Sequence, residues 1–176
     1  TRRWPAGSCW WSSRWRPTAA RPTANRSWRS LRWAPAGGTW NLDAANRKTW
    51  KGAPPVPRRP SFPPDALTRE VLELVESRYP RSFGSLAGFD WPVTARDAGQ
   101  ATEHFLERLL PSFGPFEDAM DDAEPALFHS LLSPSINLGH LDPLVLCRRA
   151  EAAWRSDRAP LASVEGFVRQ VLGWRE

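Results

Sequence analysis

The sequence predicts an all-α fold from residue 65 onward. Apolar residues recur there at helical spacing, prolines stand where helices begin or end, and no segment shows the apolar–polar alternation of a strand. The length of 176 residues allows one domain or part of a larger one. No apolar run approaches the roughly 20 residues that span a bilayer. Two distant cysteines predict neither a disulfide framework nor a metal site, so we expect a reducing, cytoplasmic setting.

Residues 1–36 are predicted to be irregular. Residues 1–38 hold eight Arg, six Trp and no acidic residue, and they show no helical or strand periodicity. The segment is either a basic tail that binds nucleic acid, a tail that binds an anionic membrane surface, or an amino-acid sequence translated from a neighbouring reading frame. The reading-frame hypothesis is favoured, because GC-rich genes read out of frame yield Arg, Trp, Pro and Ala. The remaining residues carry a formal charge of −3, so the net charge of +5 is no evidence for DNA binding.

Residues 37–64 are predicted to form a connector. Six of the twelve residues 53–64 are proline, which indicates an extended segment without ladder hydrogen bonds. The residues that follow predict helices over about 65–79, 94–110, 125–132 and 143–155, and a last helix from Pro160 onward. Thr94 and Asp97 form an N-cap pair, and Pro125 and Asp142-Pro143 are helix-opening signals.

Most of the polar residues favour structural interpretations. The five carboxylates between Glu117 and Glu124 lack the spacing of a calcium loop and are predicted to be a solvated acidic face. His104 is interpreted as a surface residue. No catalytic triad order, phosphate-binding glycine loop or metal-ligand spacing occurs, so no catalytic and no metal-binding residue is assigned.

Two stretches carry more specific signals. In HSLLSPSINLG (129–139), Pro134 interrupts a helical pattern beside Ser130 and Ser133, an arrangement that suits a phosphate-bearing ligand or a capped turn between helices. In EGFVRQVLGWRE (165–176), Gly166 and Gly173 share one helix face with Arg169 and Gln170. Two glycines inside a helix cost about 1 kcal/mol each relative to Ala, so they indicate close approach of another helix or of a flat ligand.

These stretches resemble the photolyase/cryptochrome family. The flavin-binding signature of that family is Thr-Ser-x-Leu-Ser-Pro with a glycine five residues later, and SLLSP (130–134) with Gly139 matches it, whereas His129 replaces the Thr. The family's Glu-Leu-x-Trp-Arg-Glu is matched by VLGWRE (171–176). Val171 stands where cyclobutane-dimer photolyases have a lesion-binding Glu, which argues against that specificity.

The departures resemble the bacterial iron–sulfur branch of photolyases and cryptochromes. GGTWNLD (37–43), NRK (46–48), the run from FGS (83–85) to FDWP (89–92), HSLLSP (129–134) and EGF (165–167) carry this resemblance. It covers residues 36–176 in order and implies that the chain is a fragment. Residues 37–64 would be the end of an interdomain connector, and residues 65–176 the first half of a helical FAD-binding domain.

The resemblance implies FAD as cofactor and UV-damaged DNA as partner, with no membrane and no protein partner. It assigns Ser130, Leu132 and Ser133 to FAD, and helical geometry adds Asn137, Arg169 and Gln170. Trp174, Arg175, Arg47 and Lys48 are assigned to the lesion or the DNA. The family's 4Fe-4S cluster and antenna chromophore would be held outside this chain.

In this family, light-excited reduced FAD donates an electron to a photoproduct flipped out of the duplex. The predicted function is therefore light-driven repair of (6-4) photoproducts by the longer protein. The alternatives are blue-light sensing by a cryptochrome-like flavoprotein and an inactive helical fragment.

Overall fold

The computed structural model describes residues 36–38 and 42–173 of the chain. The chain divides into two units, Thr1–Leu42 and Asp43–Glu176. In the first unit, the described residues are Leu42 and a 3₁₀ turn, Ala36–Gly38. In the second, residues 43–173 form helices, turns and extended segments without any β-strand. The all-α prediction is therefore confirmed for the described part of the chain, whereas the boundaries at residues 36 and 64 stay predictions.

Helices make up most of residues 66–173. The α-helices are α1 Ala66–Arg78, α2 Ala95–His104, α3 Leu110–Phe113, α4 Ser133–Asn137, α5 Pro143–Arg155 and α6 Leu161–Gly173. A π-helical segment, Phe105–Leu109, joins α2 to α3, and 3₁₀ turns occupy Asp43–Asn46 and Gly114–Phe116. No helix in the described ranges is long and apolar enough to span a bilayer.

Side-chain caps fix the starts of three helices. The Asp65 side chain accepts a hydrogen bond from the Thr68 backbone at 2.8 Å and begins α1. Thr94 caps α2 by accepting from the Asp97 backbone N–H at 3.1 Å. Asp142 accepts from two backbone N–H groups in the first turn of α5. These contacts satisfy donors that have no partner inside a helix, so the predicted starts are confirmed.

The helix predicted over 94–110 continues to Phe113 through the π-helical segment. Pro111 has no N–H and removes one α-helical hydrogen bond, and the Leu110 N–H reaches back to the Phe105 carbonyl instead. Phe105, Leu109 and Leu110 are all fully buried. The wider turn therefore directs more apolar side chains into the core than a regular helix face would.

The helix predicted over 125–132 is wrong. Residues 125–132 form a turn and a loop in which Leu127 and Leu131 have positive φ angles of 37° and 52°. The next helix, α4, begins only at Ser133 and has Pro134 in its first turn. Pro134 therefore opens a helix rather than ending one, which its missing N–H permits.

The core lies between α2, the π-helical segment, α3, α5 and α6. Three aromatic rings form its centre: Phe105 lies 4.7 Å from Phe167, and Phe113 meets both rings edge-on at 6.0 and 6.1 Å. Trp50 and Val56, from the extended segment before α1, pack against this core. Helix α1 has no buried residue, and the exposed fractions of Leu67 and Leu74 are 68% and 55%.

Candidate functional site

A cavity of about 580 Å³ opens between residues 129–132, α4 and α6. This volume lies within the usual range for small-molecule sites. Its polar lining residues are Glu117, His129, Ser130, Ser133, Asn137 and Gln170. Its apolar lining residues are Phe113, Leu131, Leu132, Ile136, Phe167 and Val171. The cavity thus combines six polar with six apolar lining residues.

Five of the six residues predicted to bind a cofactor lie on this one cavity. They are Ser130, Leu132, Ser133, Asn137 and Gln170. The first four come from the loop before α4 and from α4 itself, and Gln170 comes from α6, more than 30 positions later. The fold therefore brings the two sequence stretches together, while their contacts with a ligand stay predictions.

Arg169, the sixth residue, is not part of the cavity lining. Its guanidinium Nη2 lies 2.9 Å from Glu117 Oε1 and 3.4 Å from Asp43 Oδ1. Its Nε lies 3.3 Å from Glu165 Oε1, one turn earlier on α6. Arg169 is thus surrounded by three carboxylates. Its neighbour Gln170 lines the cavity instead, so the two residues do not share the surroundings predicted for them.

Glu117 is a buried carboxylate on the cavity wall, so the solvated acidic face predicted for it is wrong. Only 3% of its side chain is exposed. Burial raises the pKa of Glu117, and the Arg169 guanidinium opposes that rise. Asn46 donates to Glu117 Oε2 at 3.4 Å and to the Ala162 carbonyl at 3.1 Å. These contacts hold the carboxylate against α6.

Gly166 makes room for this carboxylate. A Cβ atom at position 166 would lie 2.1 Å from Glu117 Oε2 and 3.0 Å from Asn46 Nδ2. The close approach predicted for this helix face is therefore made by a side chain from another segment. At Gly173, by contrast, an added Cβ would meet nothing within 4 Å.

His129 occupies the position where the family signature has a threonine, and it lies on the cavity wall. Its ring meets Phe113 edge-on at 6.1 Å. Burial lowers the pKa of His129, and the positive charge of Arg59 lowers it further.

His104, at the end of α2, is predicted to be a surface residue, but its Nε2 is buried without a hydrogen-bond partner among the described residues.

The residues predicted to bind DNA divide into two groups. Arg47 is 66% exposed and forms an ion pair with Asp43, and Lys48 is exposed. Trp174 and Arg175 lie outside the described residues. No group of His, Cys, Asp and Glu able to hold a metal ion occurs in the described part of the chain.

Sequence reasoning missed Glu117, Phe113 and His129 as parts of the cavity wall. Phe113 and Glu117 flank a 3₁₀ turn that lies on α6, and neither carries a local sign of this placement. Phe167 belonged to the predicted apolar stripe of the last helix, so only its position beside a cavity was missing. A long-range contact places each of these residues.

Comparison with known proteins identifies the family. Residues 31–91 match the family described as deoxyribodipyrimidine photo-lyase-related protein. Over 142 residues, 81% of this chain, the sequence is 46% identical to a (6-4) photolyase from Agrobacterium fabrum. The chain belongs to the photolyase-related family. A further relative is an uncharacterized protein of Acanthamoeba polyphaga mimivirus, 42% identical over 62 residues, or 35% of this chain.

This photolyase-related chain spans only part of its relatives. The match covers 28% of the Agrobacterium protein and 47% of the mimivirus protein. The resemblance stated from the sequence motifs is confirmed at the level of the family.

Proposed function

We propose that this chain supplies one wall of the FAD site in a light-driven DNA photolyase, acting on (6-4) photoproducts. The chain then corresponds to the connector and the first half of the FAD-binding domain of a longer protein. One observation carries the proposal: Ser130, Ser133, Asn137 and Gln170 line the same cavity although they come from two distant stretches. The 46% identity to a (6-4) photolyase supports the choice of photoproduct.

The cavity suits a dinucleotide that carries a flat ring system. Ser130 and Ser133 contribute hydroxyl groups for phosphate or sugar oxygens, and Phe113 and Phe167 contribute aromatic surface for a ring. The Glu117 carboxylate by itself would repel a pyrophosphate, but Arg169 at 2.9 Å offsets its charge. The donor set and the balanced charge therefore fit FAD.

Bound FAD would supply the light-driven electron donation, and the residues of this chain would bind the FAD and orient it. Ser130 and Ser133 hold the ligand on the side of α4, and Gln170 holds it on the side of α6. The buried side chains of Phe113, Leu132 and Phe167 exclude water from the inner wall. The ion pairs of Arg169 keep α6 in register with residues 43–46 and with Glu117.

We assign DNA-backbone contacts to Arg47 and Lys48. Both side chains are exposed, and each would neutralise a phosphate and so release the counterions condensed on it. Arg59 is close to them in sequence, but it is half-buried and donates to the backbone carbonyls of Ala126, Leu127 and His129. Replacing Arg47 or Lys48 by alanine should weaken DNA binding and reduce its salt dependence, whereas it should leave FAD binding unchanged.

The FAD assignment is tested by titrating the purified chain with FAD and following quenching of flavin fluorescence. We expect binding that Ser133→Ala and Gln170→Ala each weaken about tenfold, since each removes one hydrogen bond to the ligand. Ser77→Ala is the matched control, because Ser77 is exposed on α1, away from the cavity, and its hydroxyl donates to the Leu74 carbonyl. Equal FAD affinity in all four proteins would contradict the assignment.

The activity is tested in a chimera. This chain's residues replace the matching 142-residue segment of the Agrobacterium (6-4) photolyase, and the chimera is illuminated with DNA that contains a (6-4) photoproduct. We expect light-dependent loss of the photoproduct. A chimera that binds FAD but leaves the photoproduct unchanged would favour the blue-light-sensing alternative.

A further inference from the structure

Arg59 connects the proline-rich segment to the cavity wall. Its Nη2 converges on three backbone carbonyls, those of Ala126 at 3.3 Å, Leu127 at 3.5 Å and His129. These carbonyls lie 67 to 70 positions later in the chain. Burial lowers the pKa of the Arg59 guanidinium, although the group still carries its charge at neutral pH.

The loop that receives these hydrogen bonds is conformationally costly. Leu127 and Leu131 have positive φ angles, and Leu127 is 1% exposed. A non-glycine residue in the left-handed region costs energy and persists only where surrounding contacts determine it. Residues 125–132 are not helical, and the Ala126 carbonyl in this stretch also accepts from the His129 N–H at 2.9 Å. The Nη2 group of Arg59 lies within hydrogen-bond distance of the carbonyls of Ala126, Leu127 and His129.

The same loop continues directly into the cavity. His129, Ser130, Leu131 and Leu132 form one wall, and the Ser130 hydroxyl accepts from the Leu132 N–H at 3.4 Å. Any change in the path of residues 126–129 therefore moves the hydroxyl and the imidazole that face the ligand. Arg58, the preceding residue, is exposed.

We propose that Arg59 is a positioning residue of the ligand site: its guanidinium holds the carbonyls of Ala126, Leu127 and His129 and thereby fixes the wall formed by residues 129–132. The proposal rests on the proposed FAD site. Arg59 itself does not line the cavity, so it acts through the loop and makes no contact with the ligand.

The test compares Arg59→Met, Arg59→Lys and the control Arg58→Met in the full chain. Met keeps an unbranched apolar stem and removes all donors, whereas Lys keeps the charge without the planar fork. Hydrogen exchange is measured without FAD at the His129 amide, which bonds to the Ala126 carbonyl, and at amides of α5. FAD affinity is then measured by flavin fluorescence, and the visible circular dichroism of bound flavin reports its setting.

We expect Arg59→Met to accelerate exchange at residues 127–132 at least tenfold and to weaken FAD binding roughly 10- to 100-fold, the usual strength of hydrogen bonds from charged groups. Exchange in α5 should stay unchanged, Arg59→Lys should restore part of both effects, and Arg58→Met should match the wild type. These results would support the proposal.

Two outcomes would overturn it. In one, Arg59→Met leaves loop exchange and FAD affinity as in the wild type. In the other, exchange accelerates while the affinity and the flavin spectrum do not change, which would show that the loop and the site are independent. If the wild-type chain binds no FAD, the proposed function fails, and loop exchange in Arg59→Met still decides whether Arg59 holds the wall.

Discussion

Replacing Gly166 by alanine tests the packing of the cavity wall against α6. Alanine is about 1 kcal/mol better than glycine inside a helix, so helix propensity alone predicts a more stable protein. The structure predicts the opposite, because the new Cβ would lie 2.1 Å from Glu117 Oε2. Relieving that overlap requires the carboxylate to move by more than about 1 Å, since ordinary contacts lie near 3.5 Å.

Glu117 has little freedom to move. Its side chain is 3% exposed and its Oε1 lies 2.9 Å from Arg169 Nη2. Overpacking of a well-packed site costs about 1–3 kcal/mol, and weakening a buried ion pair adds to that cost. We therefore expect Gly166→Ala to lower the free energy of unfolding by roughly 1–3 kcal/mol, despite the gain in helix propensity.

Urea unfolding followed by far-ultraviolet circular dichroism measures the effect. Gly173→Ala is the matched control, because it makes the same change in the same helix with nothing within 4 Å of the new Cβ, and it should stabilise by up to about 1 kcal/mol. In a Glu117→Ala background, the cost of Gly166→Ala should shrink toward the control value. If Gly166→Ala and Gly173→Ala proved equally stable, the reasoning would be refuted.

Four further predictions concern single side chains. Thr94→Ala should cost about 1 kcal/mol in urea unfolding, because it removes the cap of α2, and an unchanged midpoint would contradict that role. Leu109→Ala should cost about 2–5 kcal/mol and Leu74→Ala less than about 0.5, since only the first side chain is fully buried; similar losses would refute the described core. The folded-state pKa of His129 is below the ordinary 6.5, so stability should fall as the pH drops below about 6.5, and less steeply in His129→Gln; identical pH profiles would exclude this contribution. Burial raises the pKa of the Cys147 thiol to about 11, so iodoacetamide at pH 8 should label it far more slowly in the native chain than in urea, as peptide mapping would show.

The helix starts were predictable because their causes are local. Asp65, Thr94 and Asp142 each cap a helix through contacts that span two or three residues. Such short-range patterns can be recognised from residues that are neighbours in the sequence. The end of α2 was not, because the π-helical segment before Pro111 depends on how Phe105 and Leu110 pack into the core.

The loop over 125–132 shows the opposite case. The spacing of its apolar residues and Pro125 are compatible with a helix, and no residue within the segment indicates otherwise. The loop is held instead by Arg59, whose hydrogen bonds reach across 67 to 70 positions. Nothing near Arg59 in the proline-rich segment indicates that its side chain is half-buried.

The sequence by itself determined the all-α class, the capped helices and the family motifs, because each depends on residue type and short spacing. It also named five residues that lie on one cavity, but only the fold brings their two stretches together. Tertiary structure decided which side chains oppose one another. The packing of the helices pairs Arg169 with Glu117 and places that carboxylate against Gly166. It also brings Arg59 within hydrogen-bond distance of the loop at residues 126–129. These contacts join residues 49 to 70 positions apart, and burial and charge balance select them only when the helices have packed.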